Sequence, residues 1–300
     1  MRWGVVVGVV VVAAAAAFYL LAVPGMLSSS YEERAEPEHE KAEKALDPAY
    51  EAFSRETLGT DNRPIEKADK PGEYVRAIER VTADNLRRLS RARRTVKRAE
   101  AGLGEVDEGE LGDVPDWPLL GGRGGLDEAE EIAGDEGDYL RKARAFLRDF
   151  RRLIDFETDF NRFWRRVGLT IGRGNAAIPK NPTSPGQVTR PVDRSVRQLE
   201  SALRRFRRMK APPERRAEHR NVVAGFGFVI AELRRFSSAI KRLDIGAAEQ
   251  VDKRLARGTK RYDRRTQANF RRLIARSRYV RQIDDLERRE RELGRAWDEL

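Results

Sequence analysis

The residues best suited to recognising another molecule are arginines that occur in adjacent pairs toward the carboxy terminus. A guanidinium group presents a planar fork of donors that fits phosphate and carboxylate oxygens. A basic helical face also serves simply as solvated surface, so two interpretations stay open. If the face is functional, we expect it to bind anionic lipid, a wall polymer, an acidic partner or nucleic acid. The candidate polyanion-binding residues are Arg204, Arg205, Arg207, Arg208, Arg264, Arg265, Arg271 and Arg272.

Two titratable residues interrupt apolar helical patterns. For His219, we predict a packed ring that bonds a neighbouring carbonyl or hydroxyl, with a metal or proton site as the alternative. Glu157 lies between Leu153 and Phe160 on an apolar stripe. Because an unpaired buried carboxylate is costly, Glu157 is expected to pair with an arginine or to have a raised pKa. Catalysis would need a second converging acid, and the sequence identifies none.

Other motifs that support chemistry are missing or incomplete. The chain has no cysteine, which excludes disulfides, thiolate metal sites and cysteine nucleophiles. The glycines at 121–125 lack the Gly-Lys-Ser/Thr ending of a phosphate loop. His39 lies in an acidic, mobile segment and has no partner at metal-ligand spacing. The sequence therefore predicts a protein that is not an enzyme, has no cofactor or metal, and has no identifiable small-molecule substrate.

The composition is that of a helical protein with charged faces. Among 300 residues, 40% are hydrophobic and 36% are charged, and the net charge is +11. This charge is unevenly distributed, since residues 101–140 carry 13 acids and one base, whereas residues 191–281 carry 26 bases and nine acids. The chain therefore combines an acidic connection with a strongly basic carboxy-terminal part.

The amino terminus predicts a membrane anchor. Residues 4–23 form twenty consecutive uncharged residues, and twenty helical residues span about 30 Å, the thickness of a bilayer core. A cleaved signal peptide is the alternative, although its apolar region normally covers only about 7–15 residues. Arg2 precedes the span, which favours a cytoplasmic amino terminus and places the bulk of the chain outside the cytoplasm.

Small residues within this span favour a dimer. Gly4 and Gly8 form a G-x-x-x-G pair, and such spacing lets two helix backbones approach closely in lipid. The alternative is that glycine and alanine simply populate an apolar span. We therefore treat Gly4 and Gly8 as candidate dimerisation residues for a homodimer.

Beyond the span, apolar residues recur at intervals of three and four, which is typical of α-helices. The strongest pattern follows one stripe at alternating intervals of four and three: Tyr139, Ala143, Phe146, Phe150, Leu153, Glu157, Phe160, Trp164 and Val167. Pro37 and Pro48 predict a broken helical lead over residues 31–58. The fold class is therefore all-α, an N-terminal transmembrane helix followed by an antiparallel helical bundle with coiled-coil-like heptad seams.

Composition divides the chain into four parts. Residues 1–30 form the membrane anchor or uncleaved signal segment, and residues 31–170 form a first helical part with an acidic loop at 104–125. A connection rich in proline and glycine covers residues 171–190. Residues 191–300 form the basic helical part, whose last helix is expected to run from about Ala247 to as far as Trp297.

Several short motifs resemble those of a known group of proteins. They are Ala211-Pro212-Pro213 followed by His219, Leu243-Asp244-x-x-Ala247, and Asp116-Trp117-Pro118-Leu119-Leu120. Over residues 75–275 the chain resembles a loose group of secreted or membrane-anchored helical proteins from actinobacteria that have no established function. The resemblance implies helical class and envelope localisation and carries over no active site. We expect a single-pass membrane protein that acts as a binding or structural module of the cell envelope, with secretion after cleavage as the alternative.

Overall fold

The computed structural model describes residues 3–57, 62–107, 125–275 and 277–299, with side chains described over 26–29, 31–55, 62–107, 126–269 and 277–299. Within these ranges the chain is helical and contains no strand. The all-α class is thus confirmed. The helices are α1 Trp3–Ala52, α2 Arg63–Glu66, α3 Pro71–Gly104, α4 Gly125–Ala176, α5 Pro185–Arg207, α6 Arg216–Lys241, α7 Ile245–Ala275 and α8 Arg278–Glu299, with a π-helical turn Phe53–Thr57 and a 3-10 turn Pro213–Arg215.

α1 is one continuous helix, so the predicted break at Pro37 and Pro48 is wrong. A proline inside a helix costs about 3 kcal/mol or more. The helix nevertheless buries an apolar face that includes Tyr31, Ala42 and Leu46. Burial of this face offsets the lost hydrogen bonds, an effect that proline content alone does not reveal.

Among the described residues, no helix is long and apolar enough to cross a membrane. The side chains of residues 1–25 lie outside those described. The predicted span 4–23 and its Gly4–Gly8 pair belong to that region.

The chain divides into two compact units. Unit 1 comprises Met1–Glu51, Thr95–Asp149 and Arg281–Leu300, and unit 2 comprises Ala52–Arg94 and Phe150–Val280. The helices α3, α4 and α8 therefore each contribute residues to both units, and α1 contributes its last residue, Ala52, to unit 2. Each unit has its own core.

Unit 1 is built from segments of α1, α3, α4 and α8 that alternate in direction. Gly102 on α3 lies against Ala45 on α1. The backbone amide of Asp107, five residues after Gly102, donates to the carboxylate of Glu38, seven residues before Ala45 (3.1 Å). α1 and α3 are thus antiparallel. On α4, Phe146 packs its ring 5.5 Å from that of Tyr50 on α1. Fully buried residues of this core are Leu46, Leu103, Leu140, Phe146, Leu147 and Leu286.

Unit 2 is an antiparallel succession of α3, α4, α5, α6 and α7. The side-chain amide of Asn85 on α3 donates to the side-chain oxygen of Asn161 on α4 (3.1 Å). Phe163 on α4 stacks on Phe206 near the end of α5, with ring centroids 4.3 Å apart. These contacts place an aromatic core between α4 and α5.

The predicted stripe on α4 is confirmed. Eight of its nine positions are buried, and only Trp164 is exposed, by 39%. Leu140, Leu147 and Ile154, which widen the stripe, are buried as well. A stripe of this width fits a helix that packs against more than one neighbour, as in a bundle.

Two expected boundaries differ from the structure. Helix continues through Gly172 and Gly174 to Ala176 and resumes at Pro185, so the predicted connection 171–190 is largely helical. A Cβ at Gly172 would collide with Val75 of α3, so glycine at this position lets α4 pack closely against α3. The last predicted helix is two helices, since α7 ends at Ala275 and α8 begins at Arg278.

Candidate functional site

The predicted polyanion-binding residues lie on two helices of unit 2. Arg204, Arg205 and Arg207 occupy the last turn of α5, and Arg208 caps it. All four side chains are exposed, as are Arg264 and Arg265 on α7. The side chains of Arg271 and Arg272 lie outside the described residues.

α6 brings these two groups of arginines to the same end of unit 2. Lys241 at the end of α6 bonds Asp193 at the start of α5 (2.8 Å), so the start of α6 lies beside the end of α5. The start of α6 also contacts α7, since the side-chain amide of Asn221 donates to the backbone carbonyl of Tyr262 (3.2 Å). One end of unit 2 therefore contains the last turns of α5, the first turns of α6 and the second half of α7.

We call this surface the basic end. It is defined by ten exposed cationic side chains: Arg204, Arg205, Arg207, Arg208, Lys210, Arg216, Arg220, Arg261, Arg264 and Arg265. The sequence shows each of these cationic residues. It does not show that they lie at the same end of unit 2, because that depends on the antiparallel register of three helices.

Acidic side chains near the basic end already have partners. Glu214 pairs with Arg278 (3.1 Å), and Glu218 pairs with the buried Arg215. The exposed Asp263 accepts a hydrogen bond from Gln267 (3.0 Å). Within the described part of the chain, the ten cations of the basic end form no ion pair.

The opposite end of α5, α6 and α7 contains paired charges. Glu232, which is 1% exposed, is bonded by Arg235 and by Arg254 (3.0 Å). Burial acts to raise the pKa of Glu232, but the hydrogen bonds from these arginines outweigh it and lower the pKa. Hydrogen bonds from Lys241 and Ser237 likewise lower the pKa of Asp193. The opposite end thus combines these ion pairs with exposed arginines, among them Arg194, Arg197 and Arg242, that form no ion pair with the described residues.

A buried ion triad fixes the start of α6 on α4. Arg215 donates from Nη2 to Oε2 of Glu157 on α4 (2.8 Å), its Nε lies 2.5 Å from Oε1 of the same carboxylate, and it also bonds Glu218. Its guanidinium lies 5.4 Å from the centre of the Phe160 ring. The predicted ion pair of Glu157 is confirmed. Burial raises the pKa of Glu218, whereas Arg215 acts in the opposite direction.

His219 joins the end of α5 to the first turn of α6. Its Nε2 donates to the carbonyl of Phe206 (2.9 Å), and the two rings lie 4.5 Å apart. The predicted packed histidine is thus confirmed, with the carbonyl as its partner. The same ring borders a shallow depression of about 320 Å³ whose lining is Arg207, His219, Arg220, Val223, Ala224 and Gly227. This depression belongs to the basic end, and its volume exceeds that of a phosphate or sulfate group.

Sequence reasoning missed a second polar group, in the core of unit 1. His39 was expected in a mobile acidic segment, and this is wrong, since it is helical and its Nδ1 lies 3.0 Å from Oε1 of Glu136. Glu136 is fully buried. The sequence does contain an indication that Glu136 is buried. It precedes Tyr139 by three residues and therefore lies on the same face of α4 as the apolar stripe.

Among the described side chains, no group of three or more histidines, cysteines or acids is arranged to hold a metal ion. No protein-family model matches the chain, and comparison with curated proteins and with solved structures gave no match to either.

Proposed function

We propose that this protein is a membrane-anchored helical binding module of the cell envelope and that its basic end binds a polyanion. The observation that carries the proposal is the set of ten exposed cations without an ion pair among the described residues. Residues 4–23 supply the anchor in this proposal, and the helical units lie outside the cytoplasm.

The electrostatics of the basic end support this function. Guanidinium groups bind phosphate and sulfate oxygens through paired hydrogen bonds. Many such contacts on one surface add up to useful affinity, even though each exposed contact is weak. Binding of this type weakens steeply as salt rises, because the contacts are solvent-exposed and screened. The buried Arg215–Glu157 pair supports the surface by holding the start of α6 against α4.

Salt-dependent binding to heparin and to anionic liposomes tests the proposal. The full chain in detergent or liposomes is compared with a variant in which Arg204, Arg205, Arg207 and Arg208 are all replaced by glutamine. We expect this variant to leave heparin at clearly lower salt and to keep its helical circular dichroism spectrum.

A matched control removes the same charge elsewhere. It replaces four exposed arginines at the opposite end of α5 and α6 with glutamine: Arg190, Arg194, Arg197 and Arg242. An equal loss of binding in both variants would show that only net charge matters. If the wild-type chain ignores heparin, anionic liposomes and wall polymers at low salt, polyanion binding is wrong, and protein–protein assembly is the function left to pursue.

The anchor is tested separately from the basic end. We expect the full chain to remain in membranes after alkaline extraction and a chain lacking residues 4–23 to be released. The intact mass of the membrane-extracted protein distinguishes an anchor, which keeps Met1, from a cleaved signal peptide.

Gly4→Leu with Gly8→Leu should weaken chemical cross-linking of a dimer if the G-x-x-x-G pair mediates it.

A further inference from the structure

The core of unit 1 contains a charged pair that joins α1 to α4. His39 lies on the buried face of α1, between the fully buried Ala35 and Ala42. Glu136 lies on the buried face of α4, three residues before Tyr139, and is itself fully buried. Nδ1 of His39 lies 3.0 Å from Oε1 and 3.2 Å from Oε2 of Glu136. A polar contact inside an apolar core thus joins two helices, although the two side chains are 97 positions apart in the chain.

Hydrogen-bonding chemistry defines which proton of the pair is exchanged. A carboxylate only accepts hydrogen bonds, so Nδ1 of His39 is the donor to Glu136. Nε2 is then the nitrogen that gains or loses a proton near neutral pH. With this proton, the pair is an imidazolium that faces a carboxylate. Without it, Nδ1 still donates to Glu136, but the imidazole no longer balances the buried negative charge.

The surroundings favour the protonated form of His39. Among the described residues, His39 is the only hydrogen-bond or ion-pair partner of Glu136, and a buried carboxylate without a cation is costly. The other charged groups that face His39 are also acids, Glu43 on α1 and Glu290 on α8, while the ring of Tyr139 on α4 lies 5.3 Å away. Burial of the imidazole lowers its pKa, but the bond to Glu136 and the three acids outweigh burial and raise the pKa of His39.

We propose that the His39–Glu136 pair is a pH-sensitive contact that sets how tightly α1 packs against α4. Protonated His39 balances the charge of Glu136 and holds the two helices together. Loss of the proton leaves the carboxylate uncompensated in the core, so the helices loosen around it. The side chain of His39 is 13% exposed, which lets its proton exchange with solvent. The contact belongs to unit 1 and does not rest on the polyanion function proposed for unit 2.

The direction of the pH effect follows from linkage. The pKa of His39 is raised above its ordinary 6.5, so the folded state binds this proton more tightly than the unfolded state. The stabilisation is fully present below pH 6.5 and is lost as pH rises through the raised pKa. One linked proton changes the folding equilibrium by at most about tenfold per pH unit.

Glu290 titrates in a neighbouring range and has to be separated from His39. Burial and the charge of Glu43 raise the pKa of Glu290 to about 7. The folded state therefore binds this proton more tightly as well, and the resulting pH slope has the same sign. Direct observation of the imidazole distinguishes the two groups, because Glu290 gives no histidine signal.

NMR titration of the full chain with 13C-labelled histidine tests the pair. The chain has only two histidines, so the spectrum contains two Cε1–H signals, which His219→Gln assigns. We expect His39 to titrate above pH 6.5 in the wild type. In Glu136→Gln its titration should move down by about one to three pH units, the effect of removing one opposite charge in contact. The His219 signal comes from unit 2 and is the internal control, since it should not respond to Glu136→Gln.

Hydrogen exchange tests whether this proton controls the packing of α1. Protection factors of the amides around His39, corrected for the intrinsic exchange rate, are measured from about pH 6 to pH 9 in a Glu290→Gln background, where the second titrating group is absent. We expect protection to decrease as pH rises, and we expect the decrease to disappear when His39→Gln is added. Three results would each overturn the proposal: a pKa of His39 at or below 6.5, a pKa that Glu136→Gln leaves unchanged, or an equal slope with and without His39→Gln.

Discussion

Glu157 and Arg215 form a hydrogen-bonded ion pair in the interior of unit 2, although 58 residues separate them. The Arg215 side chain is 5% exposed and that of Glu157 is 11% exposed. A pair this deeply buried gains little over an apolar pair of the same shape, but removal of one partner leaves a buried charge without compensation.

Arg215→Met is therefore expected to destabilise the protein strongly, by about 3–5 kcal/mol. The loss arises because the carboxylates of Glu157 and Glu218 would both remain buried without a cation. Urea denaturation followed by circular dichroism measures the free energy of unfolding. The neighbouring Arg216 is exposed, so Arg216→Met serves as the control and should change stability little. A loss below about 1 kcal/mol for Arg215→Met would show that water reaches the triad.

Gly258→Ala should destabilise the packing of α7 against α6. A Cβ at this position would collide with the ring of Phe228, so the ring or one of the two helices would have to move. Overpacking of this kind costs about 1–3 kcal/mol. Thermal unfolding of the variant measures the loss.

Gly294→Ala provides the contrast within another helix. Nothing lies within 4 Å of a Cβ at Gly294, and alanine is favoured over glycine in a helix by about 0.5–1 kcal/mol. This variant should raise the melting temperature. Equal effects of the two substitutions would mean that helix propensity, and not the contact with Phe228, decides both.

Leu243→Gly should stabilise the protein. Leu243 has φ of 58°, a left-handed conformation that strains a residue with a Cβ, and its side chain is 69% exposed. Leu243 ends α6 in a Schellman motif. The backbone amide of Asp244 donates to the carbonyl of Ala239 (3.0 Å), and the backbone amide of Leu243 donates to the carbonyl of Ile240 (3.0 Å). Relief of the strain should exceed the entropy cost of glycine, for a net gain of up to about 1 kcal/mol.

Leu243→Ala tests whether backbone strain is the cause. Alanine removes the exposed side chain but keeps the Cβ, so urea denaturation should show no gain. If alanine stabilises as much as glycine, the benefit comes from removal of exposed leucine surface.

Tyr139→Phe should leave the protein as stable as before or increase its stability by about 1 kcal/mol. The Tyr139 hydroxyl is buried without a hydrogen-bond partner among the described residues, and such a group costs about 1–3 kcal/mol. Thermal unfolding at pH 6 measures the change, and Tyr262→Phe, which removes a hydroxyl that Arg261 contacts on the surface (3.4 Å), is the control. A decrease for Tyr139→Phe would show that the hydroxyl bonds a water or a carboxyl group in solution.

Periodicity predicted the local structure that depends on one helix at a time. The stripe of α4 is correct because side chains three and four residues apart always share a helix face. The ion pair of Glu157 follows from the same stripe, since a carboxylate on a buried face needs a cation. The sequence did not identify Arg215 as that cation, because 58 residues of chain must fold back to bring it there.

Patterns tied to a single residue type were less reliable. Prolines predicted breaks in α1, yet burial of the face around Leu46 holds the helix together. Acidic surroundings suggested that His39 is mobile, yet Glu136 on another helix holds it. In both cases a contact distant in sequence outweighs the local preference.

The sequence by itself determined that this protein is helical, which helix faces are apolar, and that its carboxy-terminal part is rich in arginine. These properties depend on residue type and on spacing within one helix. Only the tertiary structure decided that the arginines of α5 and α7 share one end of unit 2, and that Glu136 on α4 meets His39 on α1. Both depend on the direction and register of helices far apart in the chain, which are set by the packing of whole apolar faces and not by any local pattern.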